Sequence, residues 1–429
     1  METLSYPHVE ETLYREVLEN GLEIIVLPKQ GFQKTYATFA TKYGSIDNHF
    51  AVGDETPIKV PDGIAHFLEH KMFEEPDGQD VFAKFSKQGA AANAYTSFDR
   101  TVYLFSATEN IDDNLTTLID FVQRPHFTEQ NVDKEKGIIA QEINMYNDNA
   151  DWRVYYGLFE AMYQKHPISI DIAGTVESIY KIDKDLLYRC YNTFYHPSNM
   201  LLFVVGGVDA EHIIELVKRN QAAKSYVPLG NIERFFEEEP GAIRQSRVEK
   251  KLHVSLPKCM LGFKEQAVHK QGEELLRQEV ISKLMLDIMF GSSSPFYQSL
   301  YDQQLIFDSF GFEYNCSEQY AFSVLGGDTP DPDKLVETIR AYITETLQTG
   351  IDAERFERVK RKKIGNYLRM LNSPEAIATE FTRYRFRNCD MFNVLKYYEE
   401  STLDDVNARL KEHFDFNQLA VSIVESPST

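Results

Sequence analysis

The chain has 429 residues, 43% of them hydrophobic, and a formal net charge of −21 at pH 7. This length fits two domains of ordinary size better than a single core. The acidic balance excludes nucleic acid and anionic membranes as general partners, and no stretch approaches the roughly 18 apolar residues that a membrane span needs.

The cysteines show neither the spacing of a disulfide framework nor that of a cysteine metal site. They are Cys190, Cys259, Cys316 and Cys389. Scattered cysteines of this kind predict free, buried thiols in a reducing compartment. The first residues lack the basic and apolar regions of a signal peptide. A cytoplasmic protein is therefore expected.

The chain begins with predicted strands. Residues 12–17 and 22–28 have the composition of two strands and flank an Asn-Gly pair, which is the strongest short signal for a hairpin. Residues 35–43 alternate enough to form a third strand. A polar loop follows, and its last acid, Asp62, is predicted to cap the next helix.

That helix carries His66, Glu69 and His70 in the order H-x-x-E-H. Positions i, i+3 and i+4 share one face, because the helix completes a turn every 3.6 residues. Two histidines so spaced can hold one metal ion, and the glutamate can reach a water beside it. A catalytic zinc takes three protein ligands, so the motif lacks one.

The rest of the first half alternates between helices and strands. The predicted helices are residues 80–88, 112–122 and 128–147, and the predicted strands are residues 93–107 and 201–208. The order of these segments predicts an α+β unit in which helices pack on a sheet.

Two acids on the helix of residues 128–147 are candidates for the third ligand. Glu135 and Glu142 are seven residues apart and therefore two turns apart on nearly the same face. The adjoining face carries an apolar stripe, formed by Ile138, Ile139 and Ile143. An unpaired carboxylate beside a core is unfavourable. From the helix alone, a metal ion and an ion pair with lysine or arginine both remain open as its partner.

The second half repeats this layout. Residues 333–347 and 351–370 form a similar pair of predicted helices, and residues 414–421 echo residues 195–202 ahead of a strand. A tandem duplication explains the repeat, with each copy a mainly antiparallel sheet packed with helices. The predicted divisions are a catalytic zinc-binding domain at 1–220, a linker and strand entry at 221–251, and a homologous non-catalytic domain at 252–429.

Two charged runs have simple predicted roles. Residues 237–239 are all glutamate and are predicted to be a solvated part of the linker. Residues 360–363 are all basic and are predicted to form a solvated helix face rather than a binding surface. The second half has no H-x-x-E-H, so only the first domain is expected to be catalytic.

An ordered set of motifs connects the chain to a known family. The set comprises Gly44-Ser45, Gly63-Ile64-Ala65-His66-Phe67-Leu68-Glu69-His70, Asn93-Ala94-Tyr95-Thr96-Ser97, His166-Pro167, Gly174-Thr175 and Tyr195-His196-Pro197-Ser198-Asn199. Together with the spacing of Glu135 and Glu142, this set resembles the pitrilysin, insulysin and mitochondrial processing peptidase family of inverzincin zinc proteases.

The resemblance implies roles for the polar residues of both helices. His66, His70 and Glu142 are expected to bind one zinc ion per chain. Glu69 and Glu135 are the expected catalytic acids. Glu69 would take a proton from the attacking water and return it to the leaving amine, and Glu135 would stand beside the site and hydrogen-bond a histidine N–H.

The resemblance also implies where the substrate binds. An exposed strand edge offers backbone hydrogen bonds to any extended peptide. The residues expected to receive the peptide as an added strand are Asn93, Ala94, Tyr95 and Thr96. The implied activity is hydrolysis of short or unfolded peptides. A serine hydrolase is not favoured, because no G-x-S-x-G occurs.

One departure from the family concerns the second half. Members that act as single units usually carry an arginine and, seven residues later, a tyrosine that contact the substrate. Tyr301 and Asp308 stand at those positions here. This predicts a zinc-bearing subunit whose homologous partner supplies the Arg/Tyr pair, or else a homodimer. The alternative is a non-hydrolytic peptide-binding or assembly subunit that retains the zinc motif.

Overall fold

The computed structural model describes residues 1–76, 80–266 and 268–427. These residues fold into two compact units. The first unit combines Met1–Ile143 and Asp171–Phe236 with the distant segment Met370–Phe386, and the second contains the rest of the described chain. Among the described residues, no helix is long and apolar enough to cross a membrane.

Strands of the first unit form two sheets. The strands are β1 (Glu2–Tyr6), β2 (Glu11–Val17), β3 (Glu23–Pro28), β4 (Thr35–Thr41), β5 (His49–Val52), β6 (Ile58–Lys59), β7 (Ala91–Thr96), β8 (Thr101–Ala107), β9 (Met200–Gly206) and β10 (Ile232–Arg234). The main sheet has the order β1-β2-β3-β9-β4-β8-β7, and the small sheet has the order β10-β5-β6. The predicted hairpin is confirmed, since β2 pairs antiparallel with β3 and Gly21 adopts φ +87° in the turn.

Eight helices lie in the described part of the first half of the chain. They are α1 (Ile64–Met72), α2 (Val81–Lys87), α3 (Ile111–Val122), α4 (Glu129–Asp148), α5 (Ala150–Met162), α6 (Val176–Ile179), α7 (Lys184–Phe194) and α8 (Ala210–Ala222). The predicted helices at 80–88, 112–122 and 128–147 are confirmed as α2, α3 and α4. The predicted cap of α1 is wrong. Its N-cap is Gly63, and the Asp62 carboxylate accepts a hydrogen bond from Asn48 Nδ2 at 2.7 Å instead.

The second unit contains a single five-stranded sheet and most of the later helices. Its strands are β11 (Arg247–Lys251), β12 (Lys258–Lys264), β13 (Gly311–Cys316), β14 (Ala321–Asp328) and β15 (Leu419–Glu425). The helices of this half of the chain are α9 (Gly272–Phe290), α10 (Pro295–Asp302), α11 (Pro332–Thr349), α12 (Ala353–Met370), α13 (Pro374–Phe386), α14 (Asn393–Glu400) and α15 (Leu403–His413).

Both sheets have the same core topology. The order β11-β15-β12-β14-β13 repeats β3-β9-β4-β8-β7, and in each case only the first pair is parallel. The short 3₁₀ turns before β9 and β15 are also alike, since His196 and Asp415 each accept a hydrogen bond from the backbone N–H two residues on. The predicted tandem duplication of an α+β unit is confirmed.

One helix of each half packs in the other unit. α13, from the second half of the chain, covers β4 and β9 of the first unit, where Phe381 stacks on Phe203 with ring centroids 4.3 Å apart. The opposite face of that sheet meets α3, where Tyr103 packs edge-on against Phe121. Covered on both faces, β9 is buried at every position, which explains its continuous apolar run.

α5 makes the reciprocal exchange. It packs on β11, β12 and β15 of the second unit, and its approach is so close that a Cβ on Gly157 would lie 2.6 Å from Ser422 Oγ. The sequence boundaries at 220 and 252 are contiguous and therefore keep α5 and α13 with their chain neighbours. The compact units differ from that division because the apolar stripe of a helix does not specify which sheet it covers.

Both charged runs are less solvated than predicted. Glu239 accepts hydrogen bonds from Lys264 Nζ and from the backbone N–H groups of a three-residue segment, Gln164, Lys165 and His166. In the basic run, Lys362 Nζ lies 2.7 Å from Asp287 Oδ1, and Asp287 is buried. The solvated interpretation is therefore wrong for these two residues. Each contacts a buried group of opposite charge on another element, Lys264 for Glu239 and Asp287 for Lys362, and a local stretch of sequence does not contain that partner.

Candidate metal centre

α1 presents the three motif residues on one face and buries the other. Ile64, Phe67 and Leu68 are fully packed, which fixes the helix against the unit. The helix begins at Gly63, where φ is +86° and a Cβ would lie 2.4 Å from the carbonyl oxygen of Ala173. Glycine is therefore required at this position. The rings of the two histidines in the motif come to 4.5 Å between centroids.

α4 supplies the acids from the facing side. Ile139 and Ile143 are buried, and they turn Glu135 and Glu142 toward α1. Ile138 does not belong to the buried stripe as the sequence suggested, because 45% of it is exposed. The stripe is narrower than predicted, and the seven-residue spacing places both acids beside it.

Three side chains converge on one point. His66 Nε2 lies 3.8 Å from Glu142 Oε1, and His70 Nε2 lies 3.4 Å from Glu142 Oε2. One donor atom from each residue lies within 4.8 Å of the other two. In the described ranges this is the only group of three or more histidine, cysteine, aspartate or glutamate residues with such an arrangement.

The donor set fits zinc. With ligand bonds of about 2.0–2.1 Å, a tetrahedral zinc keeps its ligand atoms about 3.3 Å apart, which is close to the two distances above. Burial, and secondarily His70, lowers the pKa of His66 to about 3. The His66 imidazole is therefore neutral at pH 7 and keeps a lone pair for a metal. Two imidazoles and one carboxylate form a donor set typical of zinc peptidases.

Glu69 lies beside this cluster and connects it to a strand. Its side chain is buried, and Oε2 accepts a 2.5 Å hydrogen bond from the Thr96 hydroxyl. Burial raises the pKa of Glu69, and the nearby Glu142 carboxylate adds to this, while the bonds from Thr96 and the charge of His70 oppose it. The net direction is upward, so this carboxylate accepts a proton more readily than an exposed glutamate.

Glu135 contacts His70 from the outer side. Its Oε1 lies 3.2 Å from His70 Nδ1, which is the histidine contact expected from the sequence. Burial lowers the pKa of His70. The hydrogen bond to Glu135 and the charges of Glu142 and Glu69 raise it by a larger amount, so the net shift is upward. Glu135 therefore orients the ring that points toward Glu142.

Lys71 is a residue of the site that the sequence analysis missed. It is completely buried, and its ammonium contacts Glu74 and lies 3.9 Å from Glu135 Oε2. A signal was present, because Lys71 follows Ile64 by seven residues and Phe67 by four, on the apolar side of α1. A lysine on a buried stripe requires an acidic partner.

The four residues expected to bind substrate all lie in β7. Among the strands of the described chain, it is the last of its sheet and pairs only with β8. The N–H of Thr96 bonds to Glu69, and that of Ala94 bonds to Asn93 Oδ1 at 2.9 Å, so both N–H groups point away from β8. Tyr95 points to the opposite face from Thr96. The structure thus brings Thr96 to Glu69, beside the three converging side chains, and leaves Asn93 exposed on the edge.

The positions of the expected Arg/Tyr pair belong to the second unit. Tyr301 lies in α10 and is 48% exposed, and Asp308 is an exposed residue of the loop before β13. Tyr314, six residues after Asp308, is buried in β13, and its hydroxyl accepts a hydrogen bond from Gln278 Nε2 at 2.7 Å. It is not available to a peptide.

A serine–histidine–glutamate chain also occurs in the second unit. His413 Nε2 lies 2.6 Å from Ser323 Oγ, and His413 Nδ1 lies 2.9 Å from Glu265 Oε1. Ser323 is fully buried inside β14, so no substrate carbonyl reaches it. Arg409 pairs with the same glutamate. These contacts form a buried polar network and not a nucleophilic site.

The sequence matches two family descriptions. Residues 58–176 match "Insulinase (Peptidase family M16)", and residues 181–363 match "Peptidase M16 inactive domain". A relative from Bacillus subtilis (strain 168), "Uncharacterized zinc protease YmfH", is 53% identical over 421 residues and covers 97% of each chain.

Two further proteins resemble the chain over most of its length. "Zinc protease PqqE" of Helicobacter pylori is 24% identical over 382 residues, covering 86% of this chain and 83% of its own. The crystal structure of an M16-like peptidase from Alicyclobacillus acidocaldarius superposes with a TM-score of 0.94 at 42% identity, covering 99% of this chain and 100% of that one.

Proposed function

The chain belongs to peptidase family M16, the insulinase family, and on that basis we propose that it is a zinc metalloendopeptidase that cleaves short or unfolded peptides. The observation that carries the proposal is the convergence of His66, His70 and Glu142 within 4.8 Å beside a buried Glu69. These three side chains would hold one zinc ion per chain. Zinc, when bound, supplies the Lewis acidity that polarises a peptide carbonyl and acidifies water.

Glu69 is the general base in this proposal. It takes a proton from the attacking water and then returns it to the leaving amine. Its raised pKa suits the second transfer, because a buried carboxyl holds the proton until the amine leaves. Thr96 fixes one oxygen of the carboxylate and so aims the other.

Glu135 positions His70 rather than the substrate. By accepting from His70 Nδ1–H, it fixes the tautomer that leaves Nε2 free to bind the metal, and it raises the basicity of the ring. This is the sense in which we propose Glu135 as part of the catalytic apparatus.

β7 provides the peptide-binding edge. An extended peptide alongside it would take its backbone hydrogen bonds from groups that point away from β8, such as the Ala94 N–H. The Asn93 amide now bonded to that N–H would turn aside and contact the peptide. Because Thr96 lies in the same strand and holds Glu69, the bound peptide would run directly past the base.

We further propose that the chain is the zinc-bearing subunit of a two-subunit peptidase. Tyr301 and Asp308 replace the arginine and tyrosine of self-sufficient relatives, so a homologous subunit would supply that pair. A homodimer is the alternative assembly, in which neither copy carries the pair. The cytoplasm is the proposed location, supported by four cysteines that are all buried and form no disulfide in the structure.

The test compares wild type with Glu69→Gln. Both proteins should hold about one zinc per chain by elemental analysis, and only wild type should cleave a library of fluorogenic peptides. The exposed acid Glu129 on α4 gives a matched control, Glu129→Gln, which should cleave like wild type. Equal cleavage by Glu69→Gln and wild type would exclude this mechanism.

The subunit proposal needs a second arm. Sedimentation of the purified chain reports a monomer or homodimer, and peptide cleavage is then measured with and without a homologous chain that lacks H-x-x-E-H. We expect cleavage to rise when the two are mixed. Full activity of the purified chain alone would contradict the need for a partner. Zinc content without cleavage in any mixture would favour the non-hydrolytic peptide-binding subunit.

A further inference from the structure

Lys71 is a buried cation next to the metal centre. None of its surface is exposed to solvent, although it directly follows His70 in the chain. Removing an ammonium from water is strongly unfavourable unless carboxylates surround it. Two do so here: Glu74 pairs with Nζ directly, and Glu135 Oε2 lies 3.9 Å away.

The two oxygens of Glu135 face different partners. Oε1 lies 3.2 Å from His70 Nδ1, and Oε2 faces the Lys71 ammonium. The longer distance exceeds that of a hydrogen bond, so the second contact is electrostatic. A carboxylate held between a cation and an N–H has one preferred orientation, and that orientation presents Oε1 to the histidine.

Charge balance requires the same cation. Glu69, Glu135 and Glu142 all lie close to His70, which puts three carboxylates in one partly buried space. A divalent metal would offset two of these charges, and the Lys71 ammonium, which pairs with Glu74 and faces Glu135, would offset part of the third. Glu74 is more exposed, with 34% of its side chain accessible, so water partly solvates its charge.

We propose that Lys71 is a positioning residue of the metal centre: it fixes Glu135 in the orientation that holds His70 for zinc. The inference rests on the proposed zinc site and extends it to a residue outside the H-x-x-E-H motif. The ion pair with Glu74 holds the ammonium in place. The ammonium in turn holds Glu135, and Glu135 holds the ring of His70, the proposed ligand.

The competing explanation is that Lys71 merely fills a cavity and pairs with Glu74. A double-mutant cycle separates the two, because residues that act through one another are not additive. The variants are Lys71→Met, which keeps the volume and removes the charge, Glu135→Gln, and the combination of both. Each is compared with wild type in the full-length protein.

The first readout is zinc affinity, measured by competition with a chromophoric chelator. Loss of a group that orients a ligand typically weakens metal binding by about 10- to 100-fold. We expect Lys71→Met to weaken zinc binding by about tenfold in the wild-type background and by less than about twofold in the Glu135→Gln background. The second readout is the visible spectrum of the Co²⁺-substituted proteins, where Lys71→Met should alter band positions or intensities.

Lys264 gives a matched control. It is another buried lysine in an ion pair with a glutamate, Glu239, and it belongs to the second unit. Lys264→Met should lower the melting temperature as Lys71→Met does, yet leave zinc affinity and the Co²⁺ spectrum unchanged. If Lys71→Met does not fold, Lys71→Gln replaces it in the same cycle, since the amide can still donate to Glu74.

Two results would overturn the inference. One is a Lys71→Met protein with wild-type zinc affinity and a wild-type Co²⁺ spectrum. The other is an equal loss of affinity with and without Glu135, which would mean that the lysine acts independently of that acid. A wild-type chain that binds no zinc would instead refute the proposed function, so the two failures are distinguishable.

Discussion

At the scale of single residues, the two acids of α4 make different contacts. Glu142 faces Nε2 of both His66 and His70, at 3.8 and 3.4 Å, whereas Glu135 contacts Nδ1 of His70 and faces the Lys71 ammonium. The first geometry suits the proposed ligand, and the second suits a group that supports a ligand. The identity of each role can therefore be tested by metal affinity alone.

Glu142→Gln should weaken zinc binding more than Glu135→Gln does. The first change removes a donor atom of the site, and the second removes only the acceptor that orients His70, for which about 10- to 100-fold is expected. Chelator competition at constant pH measures both. If Glu135→Gln proved the more damaging, the two roles would be reversed.

Local periodicity accounts for what the sequence predicted at this scale. The helix repeat places His66, Glu69 and His70 together, and the seven-residue spacing places the two acids, without any tertiary information. Periodicity could not predict the contacts of Lys71, because its partner Glu135 is 64 positions away and on another helix. Which oxygen faces which partner depends on packing that no spacing rule contains.

At the scale of elements, α1 depends on the residue where it begins. Gly63 adopts a left-handed φ against the backbone of Ala173, so the start of the helix is fixed by a close approach rather than by a side-chain cap. The predicted cap failed for a related reason, since Asn48 takes the Asp62 carboxylate. The two histidines lie within the first two turns, so their positions depend on where Gly63 starts the helix.

Gly63→Ala should destabilise the protein by about 1–3 kcal/mol, because a side chain there is both strained and obstructed. Zinc affinity should fall with it, as α1 shifts. Gly137 in α4 is the control: φ is not left-handed there, and a Cβ would meet nothing within 4 Å. Gly137→Ala should be neutral or stabilising by up to about 1 kcal/mol. Thermal melting of both variants checks the pair, and equal effects would contradict the argument.

The loop around Glu239 should make stability depend on pH. Burial raises the pKa of Glu239, but the bond from Lys264 and the three backbone N–H donors lower it more, so the net pKa lies below its ordinary value of 4.5. The stabilisation is therefore complete above pH 4.5 and is lost as the pH falls through the lowered pKa.

Glu239→Gln should lower the unfolding free energy at pH 7, and the difference from wild type should shrink below pH 4.5. Its exposed neighbour provides the control, because Glu238→Gln removes the same charge without those contacts. Urea titrations at several pH values measure both variants. If the loss of unfolding free energy in Glu239→Gln stayed the same below pH 4.5, the carboxylate would not be its source.

At the scale of the whole molecule, each unit is completed by a helix from the other half of the chain. α13 covers one face of β4 and β9, and α5 lies on β11, β12 and β15. Both faces of these strands are apolar, so a sheet without its helix would expose a large buried surface to water. Periodicity predicted the type and order of the elements that the sequence analysis identified, but α5 and α13 were not among them. The exchange was unpredictable because both sheets are apolar and would accept either helix.

Expressed separately, residues 1–236 and 237–429 should not fold, since each fragment carries the helix that the other sheet needs. Each should lack a cooperative thermal transition and bind hydrophobic dyes. Co-expression should restore a complex with the melting behaviour of the intact chain. A cooperative transition in either isolated fragment would show that its sheet does not depend on the exchanged helix.

The exchange of α5 and α13 also determines when the first unit can be completed during translation. The unit that holds the metal centre is not complete until α13 has been translated, and α13 ends at residue 386 of 429. At about 5–20 residues per second, roughly 7 to 30 s separate the translation of residue 236 from that of α13. During that interval the growing polypeptide already carries all three candidate ligands on an unfinished scaffold. We therefore expect zinc to bind at these ligands only after most of the chain has been synthesised.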